Sequence, residues 1–248
     1  MTGNSLLSWT PAAIVFDCDG TLMDSECHWE EARELVLRGY GVTTPSDFGE
    51  RTKGLHFTEC GRVMSEVAGL SADRADQVTG QLLDHFRKLV AADPVTIPGA
   101  TEFVSLVSHF APLAVASNCP RDVVESGLSH AGLLPRFVDI VVPDADLRPK
   151  PDPDLYLAAT RACGATPAVT LAVEDSYCGI LSATRAGLRV LGVGPNPRDE
   201  ELALVDMWVP TLADADLLHW AMTRESLPES YVPAAGGAIR ATAAAVAR

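Results

Sequence analysis

Apolar and polar positions follow three styles along this chain. The first is the run Ile14-Val15-Phe16, which ends abruptly in Asp17-Cys18-Asp19-Gly20-Thr21. An apolar run bounded by turn residues predicts a strand of a parallel sheet, buried on both faces. The second style has helical period. Asp24-Ser25-Glu26 offers an N-cap with acids in the first turn. Trp29, Ala32, Leu35, Val36 and Tyr40 then share one face, and Gly39 and Gly41 supply a stop. Residues 45–54 read as a loop. Phe57, Cys60, Met64, Val67 and Ala68 make a second helical stripe. Ser71 caps a third, with Ala75, Val78, Leu82, Phe86, Leu89 and Val90 inward. No strand is expected between residues 24 and 93.

The third style begins after the breaker segment Pro94 to Gly99. Strands are expected at 113–116, 138–142, 169–173 and 188–193, with a weaker one at 207–210. Helices are expected at 100–110, 121–131, 152–163, 177–186 and 212–224. Such alternation means a parallel sheet with helices on both faces. A single strand followed only by helices cannot complete a sheet, so the first strand joins that sheet. The expected organisation is an α/β Rossmann-like core from residues 1–23 plus 94–230, with an all-helical cap inserted at 24–93. Residues 231–248 are Ala-rich and form a tail with little to bury.

Composition narrows the setting. The chain has 248 residues, 47% of them hydrophobic, and a formal net charge of −14. That charge disfavours nucleic acid and anionic membranes as partners. It also means that any anion site needs local cations. The six cysteines form no Cys-x-x-Cys pair, so buried thiols in a reducing compartment are expected rather than a disulfide framework. The N-terminal stretch lacks the features of a signal peptide, and no apolar run approaches the ~18 residues of a membrane span. A cytoplasmic protein is the expectation.

Four strand ends carry candidate chemistry. Asp17 and Asp19, two residues apart, do not both ionise cheaply without a cation. They imply a metal ion, a protonated acid, or both. Ser117-Asn118 follows the strand at 113–116; a hydroxyl and an amide there can hold phosphate oxygens or cap the next helix. Lys150 lies in Arg148-Pro149-Lys150-Pro151-Asp152-Pro153, where flanking prolines stiffen the loop around a cation. Glu174-Asp175 follows the strand at 169–173. Taken alone it reads as an acidic helix start; with Asp17 and Asp19 it suits a hard cation such as Mg²⁺.

These four stretches, in this order, resemble the haloacid dehalogenase superfamily of phosphotransferases. The helical block after Asp24-Ser25-Glu26 is similar to the helical cap of its β-phosphoglucomutase-like branch. The likeness runs from Ile14 to about Val193. True dehalogenases lack the second acid, so Asp19 disfavours dehalogenation. The resemblance implies a Mg²⁺-dependent phosphatase acting on a small phosphorylated metabolite, such as a sugar or polyol phosphate. It implies Asp17 as nucleophile and Asp19 as general acid and base. It further implies Ser117, Asn118 and Lys150 on the transferred phosphate. Metal contacts would come from Asp17, Asp175, Glu174 and the Asp19 backbone carbonyl. A monomer is the usual state of this branch.

Two other readings compete. Response-regulator receiver domains also gather acids, a hydroxyl and a Lys at strand ends. They are about half as long, however, and lack a helical insertion. A phosphomutase competes within the enzyme class. The mutase cap loop reads Lys-Gly-x-x-Arg, and its Arg holds a second phosphate. Here Lys53, Gly54 and His56 lie in Lys53-Gly54-Leu55-His56-Phe57, with Phe57 at the arginine position. The mutase hinge also carries a His; that position is Trp29 here, one residue after His28. Hydrolysis is therefore favoured over isomerisation, with Lys53, Gly54 and His56 as candidate cap contacts to substrate.

Overall fold

In the computed structural model, residues 6–52 and 54–227 are described. Lys53 and the expected tail at 231–248 lie outside the described residues. Six parallel strands form one sheet: β1 (Ala13–Phe16), β2 (Leu113–Ala116), β3 (Phe137–Val141), β4 (Thr170–Glu174), β5 (Arg189–Val193) and β6 (Met207–Val209). Their order is β3-β2-β1-β4-β5-β6. The chain thus leaves β1 in one direction for β2 and β3, then returns to its other side for β4. Ligands bind at such a reversal, outside the carboxyl ends of the strands. β1 pairs with β2 through Phe16 and Val115, and with β4 through Phe16 and Val173. That register brings the residues after Phe16 and after Val173 side by side.

Four helices fill the chain between β1 and the next αβ unit: α1 (Glu26–Gly39), α2 (Phe48–Thr52), α3 (Phe57–Val67) and α4 (Ala75–Ala92). The sequence reads 45–54 as a loop, and α2 corrects this. Phe48 is fully buried, and Thr52 accepts a hydrogen bond from the buried Arg33. These long-range contacts hold a five-residue helix too short to be stable by itself. The inward face of α1 also differs slightly from the expected stripe. It buries His28, Ala32, Arg33, Val36 and Leu37, while Leu35 is half-buried. The stripe of α4 holds, with Val78, Leu82, Phe86 and Val90 buried. Trp29 stacks on Phe86 with ring centroids 3.6 Å apart, tying α1 to α4.

The remaining helices are α5 (Ala100–Val107), α6 (Arg121–His130), α7 (Asp154–Ala162), α8 (Tyr177–Arg185), α9 (Asp199–Leu202) and α10 (Ala215–Met222). The short α9 is absent from the sequence expectation. Its signal was present: three acids, Asp199, Glu200 and Glu201, crowd the first turn after Arg198. Elsewhere the expected elements occur with ends shifted by one to a few residues. One apolar cluster runs from Phe16 and Phe103 through to Phe86 and Met64, so the α1–α4 layer shares a core with one sheet face. A second cluster on the opposite face joins Val15, Ala172, Tyr156 and Ile180. Fully burying one such large side chain stabilises by roughly 1.5–3 kcal/mol, more than the fraction of a kcal/mol that separates helix propensities.

Candidate active site

The apolar strands stop where the sheet edge meets the helical layer, and the chemistry starts there. Asp17 follows β1, and its N–H donates to the Val173 carbonyl at 2.9 Å. Ser117 follows β2, with its N–H on the Val141 carbonyl at 3.0 Å. Glu174 ends β4, and Asp175 follows it. The loop after β3 carries Lys150 into the same place; its bond to Pro151 is cis. Lys150 is 4% exposed, so its charge needs buried partners. Its Nζ donates to Asp17 Oδ1 and to Glu174 Oε1, each at 2.5 Å. Burial acts to lower the Lys150 pKa, but the carboxylates of Asp17 and Glu174 prevail and raise it. The lysine therefore stays charged.

Glu174 is fully buried and both its oxygens are engaged. Oε1 accepts from Lys150 and from the Tyr156 hydroxyl at 2.8 Å. Oε2 accepts from the Asp175 N–H at 3.1 Å, the Ser176 N–H at 3.3 Å and the Ser176 hydroxyl at 3.2 Å. Asp17, Glu174 and Asp175 each offer a carboxylate oxygen, and these oxygens lie within 4.8 Å of one another. An all-oxygen, all-carboxylate set suits a hard divalent cation. Because Glu174 already serves five donors, Asp17 and Asp175 are the better placed ligands, and Glu174 orients Lys150. Thr21 donates to Asp175 Oδ1 at 3.3 Å. Gly20 passes so close that a Cβ there would sit 2.4 Å from Asp175 Oδ2.

Asp19 takes a different environment although it is only two residues from Asp17. Its carboxylate accepts from the Ser25 hydroxyl, and Cys119 and Trp29 also bond to it. Burial raises its pKa, against those three donors and Lys150. Burial also pushes the Asp17 pKa well up; Lys150 opposes this, while Glu174, Asp175 and Asp19 add to it. Four acids around one lysine leave a surplus of negative charge that a bound cation would relieve.

Ser117 and Asn118 reach the site in unequal ways. Ser117 Oγ accepts from the Cys119 N–H at 3.0 Å and does not cap α6, whose N-cap is Pro120. The Asn118 side-chain amide donates to the carbonyls of Gly54 and Lys150, both at 3.2 Å, and its oxygen accepts the Lys150 N–H at 2.9 Å. Asn118 therefore pins the lysine loop to the loop before α3. Gly54 itself has φ of +71° and lies against Ser176, where a Cβ would approach Oγ to 3.0 Å. His56 is the N-cap of α3, with Nδ1 facing Thr58. Burial lowers its pKa, which favours the neutral ring.

The cavity between the sheet and the helices holds about 50 Å³. Asp17, Asp19, Ser117, Asn118, Lys150 and Asp175 line its sheet side. Glu26, Trp29, Arg33, Thr52, Leu55, Phe57 and Cys60 line its helical side, with Gly54 between. His28 and His56 are not among the lining residues. A pocket for a small organic ligand spans roughly 300–1,000 Å³, so the space between the two sides is tight for one. Burial pushes the Cys60 thiol up to about 11 and raises the Cys119 thiol well above its ordinary value, so neither offers a thiolate.

Sequence reasoning missed Tyr156, Arg33 and Trp29 as wall or support. Tyr156 sits in the first turn of α7 with no pattern to mark it. Arg33 falls just past Trp29 and Tyr40 on the helical wheel, outside the expected apolar stripe, so its burial had no clear mark in the sequence.

The family model described as haloacid dehalogenase-like hydrolase matches residues 14–193. The validoxylamine A 7′-phosphate phosphatase of Streptomyces hygroscopicus subsp. limoneus is 30% identical over 207 residues, covering 83% of this chain and 96% of that protein. The 6-phosphogluconate phosphatase of Escherichia coli strain K12 is 28% identical, over 77% of this chain and 86% of its own. Among solved structures, CbbY from Rhodobacter sphaeroides in complex with phosphate is 25% identical, with a TM-score of 0.69 over 83% of this chain and 96% of that one. β-Phosphoglucomutase from Clostridium difficile superposes with a TM-score of 0.74 over 86% of this chain and 97% of that one; at 18% identity the likeness concerns the fold alone.

Proposed function

This chain belongs to the haloacid dehalogenase-like hydrolases, in their β-phosphoglucomutase-like branch, and is a phosphoric monoester hydrolase; from that premise we propose that it hydrolyses a small sugar or polyol phosphate with Mg²⁺. One observation carries the reading: Lys150 is buried between Asp17 and Glu174, beside Asp175, at the sheet's reversal point. Phosphoryl transfer needs positioning and charge neutralisation more than covalent assistance, and this cluster offers both.

Asp17 attacks phosphorus through a carboxylate oxygen, forming an aspartyl-phosphate as the bond to the leaving oxygen breaks. Asp19 gives its proton to that oxygen; its raised pKa favours the protonated form the step requires. Water then attacks phosphorus and passes a proton to Asp19. The P–O bond to Asp17 breaks, and inorganic phosphate is released. Mg²⁺, when bound, neutralises the anionic nucleophile and phosphate so that they can approach. Asp17 and Asp175 would hold it. Lys150 and Ser117 hold the transferred oxygens, and Asn118 keeps Lys150 in place. We take residues 24–93 as the cap, which excludes bulk water when closed. Among the described residues, no helix is long and apolar enough to cross a membrane.

The test is release of inorganic phosphate from a panel of sugar and polyol phosphates with Mg²⁺. Multiple turnovers of p-nitrophenyl phosphate would separate an enzyme from a receiver-like module. A mutase reading is kept alive by one observation, the buried Arg33 on the helical wall. Incubation of β-glucose 1-phosphate with a catalytic amount of the 1,6-bisphosphate decides between them. Free phosphate is the expected product; accumulation of glucose 6-phosphate without it promotes the mutase.

A further inference from the structure

The helical wall of the cavity holds a cation that the reaction above does not use. Arg33 projects from α1, and its side chain is 4% exposed. It lines the cavity together with Trp29, Thr52, Leu55 and Phe57. Its Nε donates to the Trp29 carbonyl at 3.0 Å, and Nη1 donates to Thr52 Oγ1. Nη2 is buried and has no hydrogen-bond acceptor among the described residues. The carboxylate of Glu26 stands 4.0 Å from it, beyond hydrogen-bond reach. Buried donors in native proteins nearly always find an acceptor, and a buried guanidinium seeks an anion. The Cys60 thiol also interacts with the guanidinium, and both side chains line the cavity.

We propose that Arg33 is a specificity-determining residue that receives a carboxylate on the leaving group, so that the preferred substrates are phosphorylated sugar acids. This rests on the phosphatase reading and narrows it. The cavity then has two cationic anchors: Lys150 from the sheet side for the phosphate, and Arg33 from the helical side for the second anion. Trp29, Leu55 and Phe57 offer apolar contact to the carbon chain near the second anchor. A planar guanidinium suits a planar carboxylate. Glu26 lies close enough to make a doubly charged second phosphate less welcome than a singly charged carboxylate. The competing explanation is structural: Arg33 ties α1 to α2 through Thr52 and does nothing else.

The experiment compares kcat/KM for phosphate release from a six-carbon sugar-acid phosphate, the matching alditol phosphate and a hexose bisphosphate. It uses the full chain with Mg²⁺, and p-nitrophenyl phosphate as the general probe. The wild type should prefer the sugar acid over the alditol by roughly 10- to 100-fold, the worth of one charge-assisted contact. Arg33→Gln should bring that ratio to near one, and Arg33→Lys should leave an intermediate ratio. Thermal melting reports whether each variant folds. Should neither fold, inhibition of wild-type p-nitrophenyl phosphate turnover by the unphosphorylated aldonate against the alditol reads the same preference. An unchanged ratio in folded variants whose rates both fall assigns Arg33 to the helix tie and overturns the proposal. So does a wild type that prefers the bisphosphate, or one that turns over p-nitrophenyl phosphate without discriminating acid from alditol. Failure to turn over any phosphate ester, p-nitrophenyl phosphate included, strikes instead at the phosphatase reading beneath it.

Discussion

Glu174→Gln separates two roles that the sequence alone could not, metal ligand and lysine anchor. The substitution keeps size and shape but removes a charge. Glu174 accepts from Lys150 and Tyr156 on one oxygen, and from the Asp175 and Ser176 backbone and the Ser176 hydroxyl on the other. A Gln presents one acceptor oxygen and one NH₂ group, so one of these donor clusters must face a donor. The side chain cannot retreat towards α8, because Gly179 already lies so close that a Cβ there would overlap Oε1. Breaking a buried ion pair costs about 3–5 kcal/mol, and Lys150 keeps Asp17, so the lower end applies, about 3 kcal/mol. For a chain of this size each kcal/mol moves Tm by about 2–4 °C, which gives a fall of roughly 6–12 °C. Calorimetry measures that fall, and phosphate release across a Mg²⁺ titration measures the second role. With Lys150 less firmly held, KM for substrate should rise. The Mg²⁺ concentration for half-maximal activity should move far less than in Asp175→Asn, where a rise on the order of 10-fold or more is expected. Equal rises in the two variants would refute the anchor assignment and make Glu174 a ligand. An unchanged Tm would refute the energetic argument.

Three further outcomes follow from the same geometry. Asp17→Asn should lower kcat by on the order of 10³-fold or more while the protein still folds, checked by phosphate release beside circular dichroism; substantial turnover would remove Asp17 as nucleophile. Excess chelator should abolish turnover, Mg²⁺ should restore it, and Ca²⁺ should inhibit, because its looser and more numerous coordination misplaces nucleophile and phosphate; full activity in chelator would rule the metal out. Gly20→Ala places a Cβ 2.4 Å from Asp175 Oδ2 at a φ of +82°, so it should raise the Mg²⁺ requirement and cost at least about 1–2 kcal/mol in denaturant unfolding; a neutral result would mean that Asp175 can move without consequence.

The strand ends were legible because their signal is local. An apolar run that stops at Asp17, Ser117 or Glu174 announces both a buried strand and the place where its polar residues emerge. The alternation of such runs with helical stripes after residue 100 is enough to require a parallel sheet. Helix phase was less legible. Period 3.6 located α1 and α4, but a stripe from Trp29 to Tyr40 did not say that His28, Arg33 and Leu37 would also be covered.

What only the tertiary structure decided is which of these polar groups meet. The turn from β1 and the turn from β4 are adjacent because β1 and β4 pair in register, a contact across more than 150 positions. Roles within the cluster depend on atoms contributed from elsewhere: Tyr156 occupies Glu174, Asn118 binds Gly54 and the lysine loop, and Ser25 holds Asp19. The short α2 and the buried Arg33 explain one another through Thr52, and neither carries enough local propensity to be read by itself. A sequence determines local backbone preference and which faces must be buried. Burial of a charge beside a cavity is instead a property of packing, where the cost of desolvation is set by partners distant along the chain.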